Sequence, residues 1–256
     1  MVQLRQLFSR VETLTDIRRG FVGEWVVTFL FLLFGTTNLL QAFVIPTGSM
    51  ENSLLVGDHV LVDKLTYSPP GSVSGHLLPY REIQRGDVIV FTYPLDIKIT
   101  YVKRAIGIPG DRIRFENKQL ILNGKAVAEP YVVHLPVTNP YVDNFPAFAP
   151  PGLRPRAQQM LDEHVANGEL VVPPGFILAL GDNRDNSDDS RLWGLVPRDF
   201  ITGTPLVIYW SFDAPSEDLI NPNPSMDHIT DMVLHFFSKT RWNRTMKLVH
   251  SYRLAW

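Results

Sequence analysis

Pro46-Thr47-Gly48-Ser49-Met50 follows the longest apolar run of the chain, Phe21 to Ile45, and precedes its first clear strand pattern, His59-Val60-Leu61-Val62. A small hydroxyl residue framed by Gly and Met therefore sits where a membrane-length segment gives way to a folded body. That position points to chemistry at a membrane surface, provided the rest of the chain supplies a base for the hydroxyl.

Composition narrows the chemistry. The 256 residues carry a net charge of -2, so there is no basic field for nucleic acid. No cysteine is present, which excludes a thiol nucleophile, a Cys-ligated zinc and any disulfide framework. Pro (20) and Gly (17) are both plentiful and favour turns and short strands over long helices.

The run Phe21 to Ile45 is 25 residues long with one formal charge, Glu24, near its start. About 20 helical residues cross a bilayer core, so a single transmembrane helix over 21–45 is expected. A cleaved signal peptide would have a shorter apolar stretch and a small-x-small site after it. Residues 1–20 hold Arg5, Arg10, Arg18 and Arg19, whereas 46–65 hold only Lys64. The excess of positive charge keeps the N-terminus in the cytoplasm and puts the body on the extracytoplasmic side of the plasma (inner) membrane. The apolar rim Met50, Leu54 and Leu55 is expected to rest on lipid.

The body reads as short strands. Gly57-Asp58 turns into a strand at His59–Val62, and Arg85-Gly86-Asp87 punctuates before Val88–Phe91. Ser68–Gly75 is loop by composition. Tyr101–Ile108 ends at the turn signal Pro109-Gly110-Asp111, and Arg112 to Val127 predicts a hairpin about Asn123-Gly124. Residues 115–172 read as an inserted lobe with one short helix, Arg156 to Asn167, between core segments 46–114 and 173–215. In the tail, 216–256, Ile229, Met232, Val233, Phe236 and Phe237 fall at helical spacing, ahead of Lys239, Arg241, Trp242, Arg244, Lys247, Tyr252, Arg253 and Trp256. That pattern predicts a terminal helix docked on the domain, or else a basic, aromatic segment on the lipid interface.

Of seven histidines, only His59 lies near a strand end, and His76, His134, His164, His228, His235 and His250 lie in loops or the tail. Lys103 is the better base. It sits in an apolar frame, with Tyr101-Val102 before it and Ala105-Ile106 after, and alternates faces with Arg104, so one faces the core and the other faces out. A lysine titrating near its ordinary 10.4 is neutral in fewer than about one molecule in a thousand at pH 7, whereas burial can lower that value by up to about 3–5 units. Gly181 to Arg191 is dense in Asp and Asn but fails the calcium-loop template in both registers, so no metal is expected there. Within it Ser187 can hydrogen-bond a neutral lysine amine, and Asp189 can pair with Arg191.

Together Thr47–Met50, Gly57–Lys64, Tyr101–Asp111 and Gly181–Arg191 resemble the ordered boxes of the bacterial type I signal peptidases, also called leader peptidases. The resemblance covers about 20–212. It implies a mostly β fold, with an antiparallel-sheet catalytic core and a smaller inserted lobe behind the membrane anchor. It implies a Ser-Lys dyad with Ser49 as nucleophile and Lys103 as general base. The Ser49 N–H and the Thr47 hydroxyl would form the oxyanion hole, with Ser187, Asp189, Arg191 and Arg104 in support. It also implies no cofactor and no metal, and as partners the membrane lipid and the signal peptides of exported preproteins, cut after small residues at -3 and -1. Asn52-Ser53 stand where the family usually shows Pro then Thr, and one membrane span stands where members often have two. Two alternatives stay open: a dedicated Ser-Lys processing peptidase for one secretion or pilus substrate, and a non-catalytic anchored binding domain.

Overall fold

A computed structural model describes residues 21–67, 80–150, 152–220 and 225–252. The segment 1–20 expected in the cytoplasm, the loop at Ser68–Gly75, His76, Arg253 and Trp256 lie outside the described residues. The chain divides into two units, 1–39 and 40–256.

In the first unit α1 spans Phe21–Phe34 and is followed by a π-helical stretch, Gly35–Leu39. The expected membrane helix over 21–45 is therefore not continuous to Ile45: among the described residues its α-helical part ends at Phe34. No helix among the described residues is long and apolar enough to cross a membrane. The sequence explains the early end. Gly35 weakens the helix, and the Thr36 hydroxyl donates to Leu32 O at 2.8 Å, competing with the backbone ladder. Leu40–Val44 then leave the helix altogether and form β1, the first strand of the second unit. The apolar character of 40–45 that suggested lipid is here the character of a strand.

In the second unit β1 pairs antiparallel with β2 (Asp58–Asp63), whose residues alternate buried and half-buried as a one-sided strand requires. β3 (Val88–Thr92), β4 (Thr100–Gly107), β10 (Phe176–Leu180), β11 (Val196–Pro197), β12 (Ile201–Ser211) and β13 (Lys247–Leu248) complete this sheet. Its order is β1-β2-β12-β3-β4-β10-β11, with β13 on β12. The ladders are antiparallel, and the long β12 serves both β2 and β3 by way of bulges.

A second sheet comprises β5 (Arg112–Glu116), β6 (Gln119–Leu122), β7 (Lys125–Ala126), β8 (Val165–Ala166) and β9 (Glu169–Val171), in the order β7-β6-β5-β9-β8. The single hairpin expected at Asn123-Gly124 is a pair of hairpins. Asn117 and Lys118 have φ of 48° and 71°, so they make a second tight turn of the kind that Asn123 (51°) and Gly124 (78°) make. A lysine at such a position carries no turn signal in sequence. The two sheets share one apolar cluster: Ile113, Phe115, Leu120 and Leu170 pack with Ile106, Leu178 and Leu180 of β4 and β10. The short helix α3 (Pro155–His164), after α2 (Pro140–Asp143), buries Ala157 and Met160.

The tail forms helical turns at Ser216–Ile220, Met226–Leu234 and Phe236–Lys239. Val233, Leu234 and Phe237 are exposed, whereas Phe236 lies 5.8 Å from the Trp210 ring and Val249 packs on the cluster of Val60, Val62 and Ile208. Basic residues add to this attachment. Arg244 pairs with buried Asp58 at 2.6 Å, and Arg241 donates to Val56 O and Phe212 O. Of the cations that suggested a lipid-facing basic segment, Arg241 and Arg244 are thus engaged by the folded body.

Candidate active site

The nucleophile candidate stands on a turn that its neighbours hold down. Ser49 lies in a 3-10 turn, Gly48–Met50, directly after β1. Met50 and Leu54 are buried with Val60, Val62, Val88, Val90 and Ile208. Their burial corrects the expectation that they rest on lipid: Met50 is 1% and Leu54 0% exposed, and they tether the turn to the sheet. The Asn183 N–H donates to Ser49 O at 3.1 Å. A Cβ on Gly181 would lie 2.5 Å from Ser49 O and 2.3 Å from Ser187 Oγ, so only glycine lets the 181–191 loop approach this turn.

Lys103 projects from β4 opposite Ile89 of β3 and is 4% exposed. Its Nζ lies 2.5 Å from Ser49 Oγ. Burial pushes its amine down to about 8, against the opposing pull of Asp189, Asp188 and Asp182. With that value about one lysine in ten is neutral at pH 7, a gain of more than about a hundredfold over a solvated side chain. When the amine is neutral the Ser49 O–H donates to it. The pair opens on a cleft of about 440 Å³ whose walls are β1 (Phe43, Val44), the turn residues Ile45 to Met50, and β4 with its approach (Ile99 to Lys103).

Thr47 stands exposed on the cleft wall next to Ser49. Ser187 Oγ is buried but has no hydrogen-bond partner, so the bond to the Lys103 amine expected of it is not made. Asp189 and Arg191 lie together, with Nε to Oδ1 at 2.9 Å and Nη2 to Oδ2 at 2.7 Å, and the Gly181 N–H donates to Asp189 Oδ2 at 3.2 Å. Burial alone would raise the Asp189 carboxyl, but the Arg191 guanidinium holds it below the usual carboxylate range.

Arg104 departs from the expected alternation. It is 0% exposed, so β4 is buried on both faces rather than one. Its guanidinium forms a fork with Asp182, Nε to Oδ1 at 2.7 Å and Nη2 to Oδ2 at 2.6 Å, donates to Gly86 O at 2.7 Å, and lies 4.1 Å from the Tyr131 ring centroid. Asp182 also accepts from Ser53 Oγ at 2.5 Å, which ties the Ser49 turn to the same pair. Sequence reading missed Asp182 and Ser53 as a unit because 129 positions separate them.

The second sheet and its connections hold the 181–191 loop from outside. Arg184 pairs with Glu129 at 2.5 Å, Lys118 with Asp185 at 3.0 Å, and Tyr141 O–H donates to Arg191 O at 2.5 Å. Among the described residues no group of three or more His, Cys, Asp or Glu is arranged to hold a metal ion.

The family profile described as "Signal peptidase, peptidase S26" matches residues 18–210. Signal peptidase I of Pseudomonas fluorescens is 34% identical over 207 residues, covering 75% of this chain and 69% of that protein. Signal peptidase I of Aquifex aeolicus is 33% identical over 237 residues, covering 79% and 88%. A crystal structure of a signal peptidase I from Enterococcus faecalis aligns over 48% of this chain and 97% of its own at 30% identity, with a TM-score of 0.37, too low to speak to the fold. A match from 18 to 210 runs through Ser49, Lys103 and the whole 181–191 loop, and by it the chain belongs to the signal peptidase family, peptidase S26, as a serine peptidase, a hydrolase that cleaves signal peptides.

Proposed function

We propose that Ser49 and Lys103 are the catalytic dyad of this peptidase, on the strength of one observation: the 2.5 Å separation of Nζ and Oγ with the amine buried. Lys103 takes the Ser49 proton as Oγ attacks the scissile carbonyl. The Ser49 N–H and the Thr47 hydroxyl receive the developing oxyanion. The ammonium of Lys103 then returns the proton to the leaving amine, and the free amine activates the water that hydrolyses the acyl-enzyme. Ser187 Oγ, buried and unpartnered, is the group available to orient the amine. Asp189 with Arg191 and Arg104 with Asp182 keep the loop and the turn in place.

The substrate is an exported preprotein cut after small residues at -3 and -1, read by the cleft beside Ser49. The chain is anchored once in the plasma (inner) membrane with its N-terminus in the cytoplasm, 46–114 and 173–215 form the extracytoplasmic catalytic core, and 115–172 form the lobe that braces it. A preprotein cleavage assay tests the dyad: Ser49→Ala and Lys103→Ala are each inactive, and kcat/KM of the unaltered protein rises through a limb near pH 8. Activity retained by either variant removes the dyad.

A further inference from the structure

Asp188 and Arg154 stand at the mouth of the cleft and have no part in the chemistry above. Asp188 lines the cleft with Lys103. Arg154 arrives from the lobe, as the residue just before α3. Its Nη1 lies 2.7 and 3.0 Å from the two Asp188 oxygens and 3.0 Å from the Tyr93 hydroxyl. Tyr101 O–H donates to Asp188 Oδ2 at 3.4 Å. The Tyr93 and Tyr101 rings are stacked at 4.4 Å and rest on the fully buried Trp193, so the pair sits on a fixed aromatic floor.

The side chains of Arg154 and Asp188 are 42% and 38% exposed, and a pair so wet adds little to stability. Its effect is on charge. The charged groups that act most on the Lys103 amine are Asp189, Asp188, Asp182 and Arg191. Asp189 is held by Arg191 and Asp182 by Arg104, and both of those guanidinium groups are buried. Asp188 alone of the three carboxylates is held by a partly exposed arginine from a distant segment.

We propose that Arg154 is a positioning residue of the active site: by engaging Asp188 it keeps that carboxylate from fixing Lys103 as an ammonium, and so sets the pH range over which the amine acts as base. The proposal rests on Lys103 being the general base. It gives the inserted lobe a direct hold on the chemistry, through one side chain.

The test is the pH profile of kcat/KM for the full chain in detergent, with a preprotein substrate, from pH 5 to 10. In Arg154→Ala the ascending limb moves up by about half a unit to one unit, so the rate at pH 7 falls about three- to tenfold and converges with the parent rate at high pH. Arg154→Lys restores the midpoint, and salt shrinks the shift. In Asp188→Asn the midpoint does not rise, and adding Arg154→Ala to it produces no further movement. A merely structural arginine would lower the rate at every pH and leave the midpoint alone. An unmoved midpoint in Arg154→Ala, or a shift that persists with Asp188→Asn, overturns the proposal. Lys103→Met in the same assay separates the two failures. If it is active, the dyad falls and this inference falls with it. If it is inactive while Arg154→Ala leaves the midpoint in place, only this inference fails.

Discussion

On one face of β4, Arg104 lies among Asp182, Gly86 O, Ser53 and the Tyr131 ring. On the other face the adjacent Lys103, buried almost as completely, is hydrogen-bonded to Ser49 Oγ and has no salt bridge among the described residues. Two neighbouring cations are thus taken out of water under opposite terms. The arginine is hydrogen-bonded at each of its three guanidinium nitrogens and acts as structure. The lysine is left without a counter-ion in contact, and the burial that its ammonium resists is what makes its amine basic at neutrality. Desolvation without pairing makes a reagent, and desolvation with pairing makes a clamp.

Exchanging the two cations' chemistry breaks the comparison most sharply. Lys103→Arg is expected to lose on the order of a thousandfold or more in cleavage, because a guanidinium does not deprotonate in proteins. Arg104→Lys keeps the dyad intact and retains measurable cleavage while losing the fork to Asp182. Equal activity in the two variants would mean that the faces are not distinct.

Removing the clamp is the next largest effect. Arg104→Met leaves Asp182 buried without its partner and is expected to cost about 3–5 kcal/mol in denaturant unfolding. Adding Asp182→Asn recovers a part of that loss. A cost below about 1 kcal/mol for Arg104→Met would show that water reaches the carboxylate.

On the lysine side the sign reverses. A fall in Lys103 from 10.5 to about 8 on folding corresponds to roughly 3 kcal/mol of destabilisation wherever both states carry the proton. Below about pH 8 folded and unfolded chains are both protonated at this residue, and the penalty is complete. Between about 8 and 10.5 the folded amine is neutral while the unfolded one is charged, so stability rises with pH and the penalty is gone at the top of that window. Lys103→Met is therefore expected to be inactive yet up to about 3 kcal/mol more stable at pH 7, with the gain vanishing by about pH 10.5. Equal stability of the two proteins at pH 7 would show that the amine is not desolvated.

The smallest expected effect concerns the approach of the loop to the dyad. Gly181→Ala forces a Cβ to within 2.5 Å of Ser49 O and shifts the turn. Cleavage should fall about 10- to 100-fold with little change in substrate affinity, since the reacting atoms are displaced and the cleft walls are not. A loss seen in KM alone would place the effect on the cleft.

Much of this was legible residue by residue. Alternation at 58–63 marked β2, and the Asn123-Gly124 pair marked a turn, because side-chain period and left-handed backbone leave local traces. The apolar frame of Lys103 foretold its burial. The burial of Arg104 was not legible, because a strand covered on both faces reads locally like one covered on a single face until the covering segments are known. Asp182 pairs with Arg104 across 78 positions, and Arg154 with Asp188 across 34, distances over which sequence carries no contact signal. The strand at Leu40–Val44 was hidden for a related reason: a short, mostly apolar stretch serves lipid or a sheet edge equally well, and the choice lay with a partner at 58–63.

By itself the sequence determined which chemistry was available: a hydroxyl at Ser49, a lysine within an apolar strand, no thiol, and a polar loop beginning where a buried strand ends. Tertiary structure alone decided that Nζ and Oγ stand 2.5 Å apart and that the amine is pushed down to about 8. The reason is physical. Residue type and periodicity are properties of a local stretch, whereas desolvation and the charges acting on a site come from segments that only folding brings together.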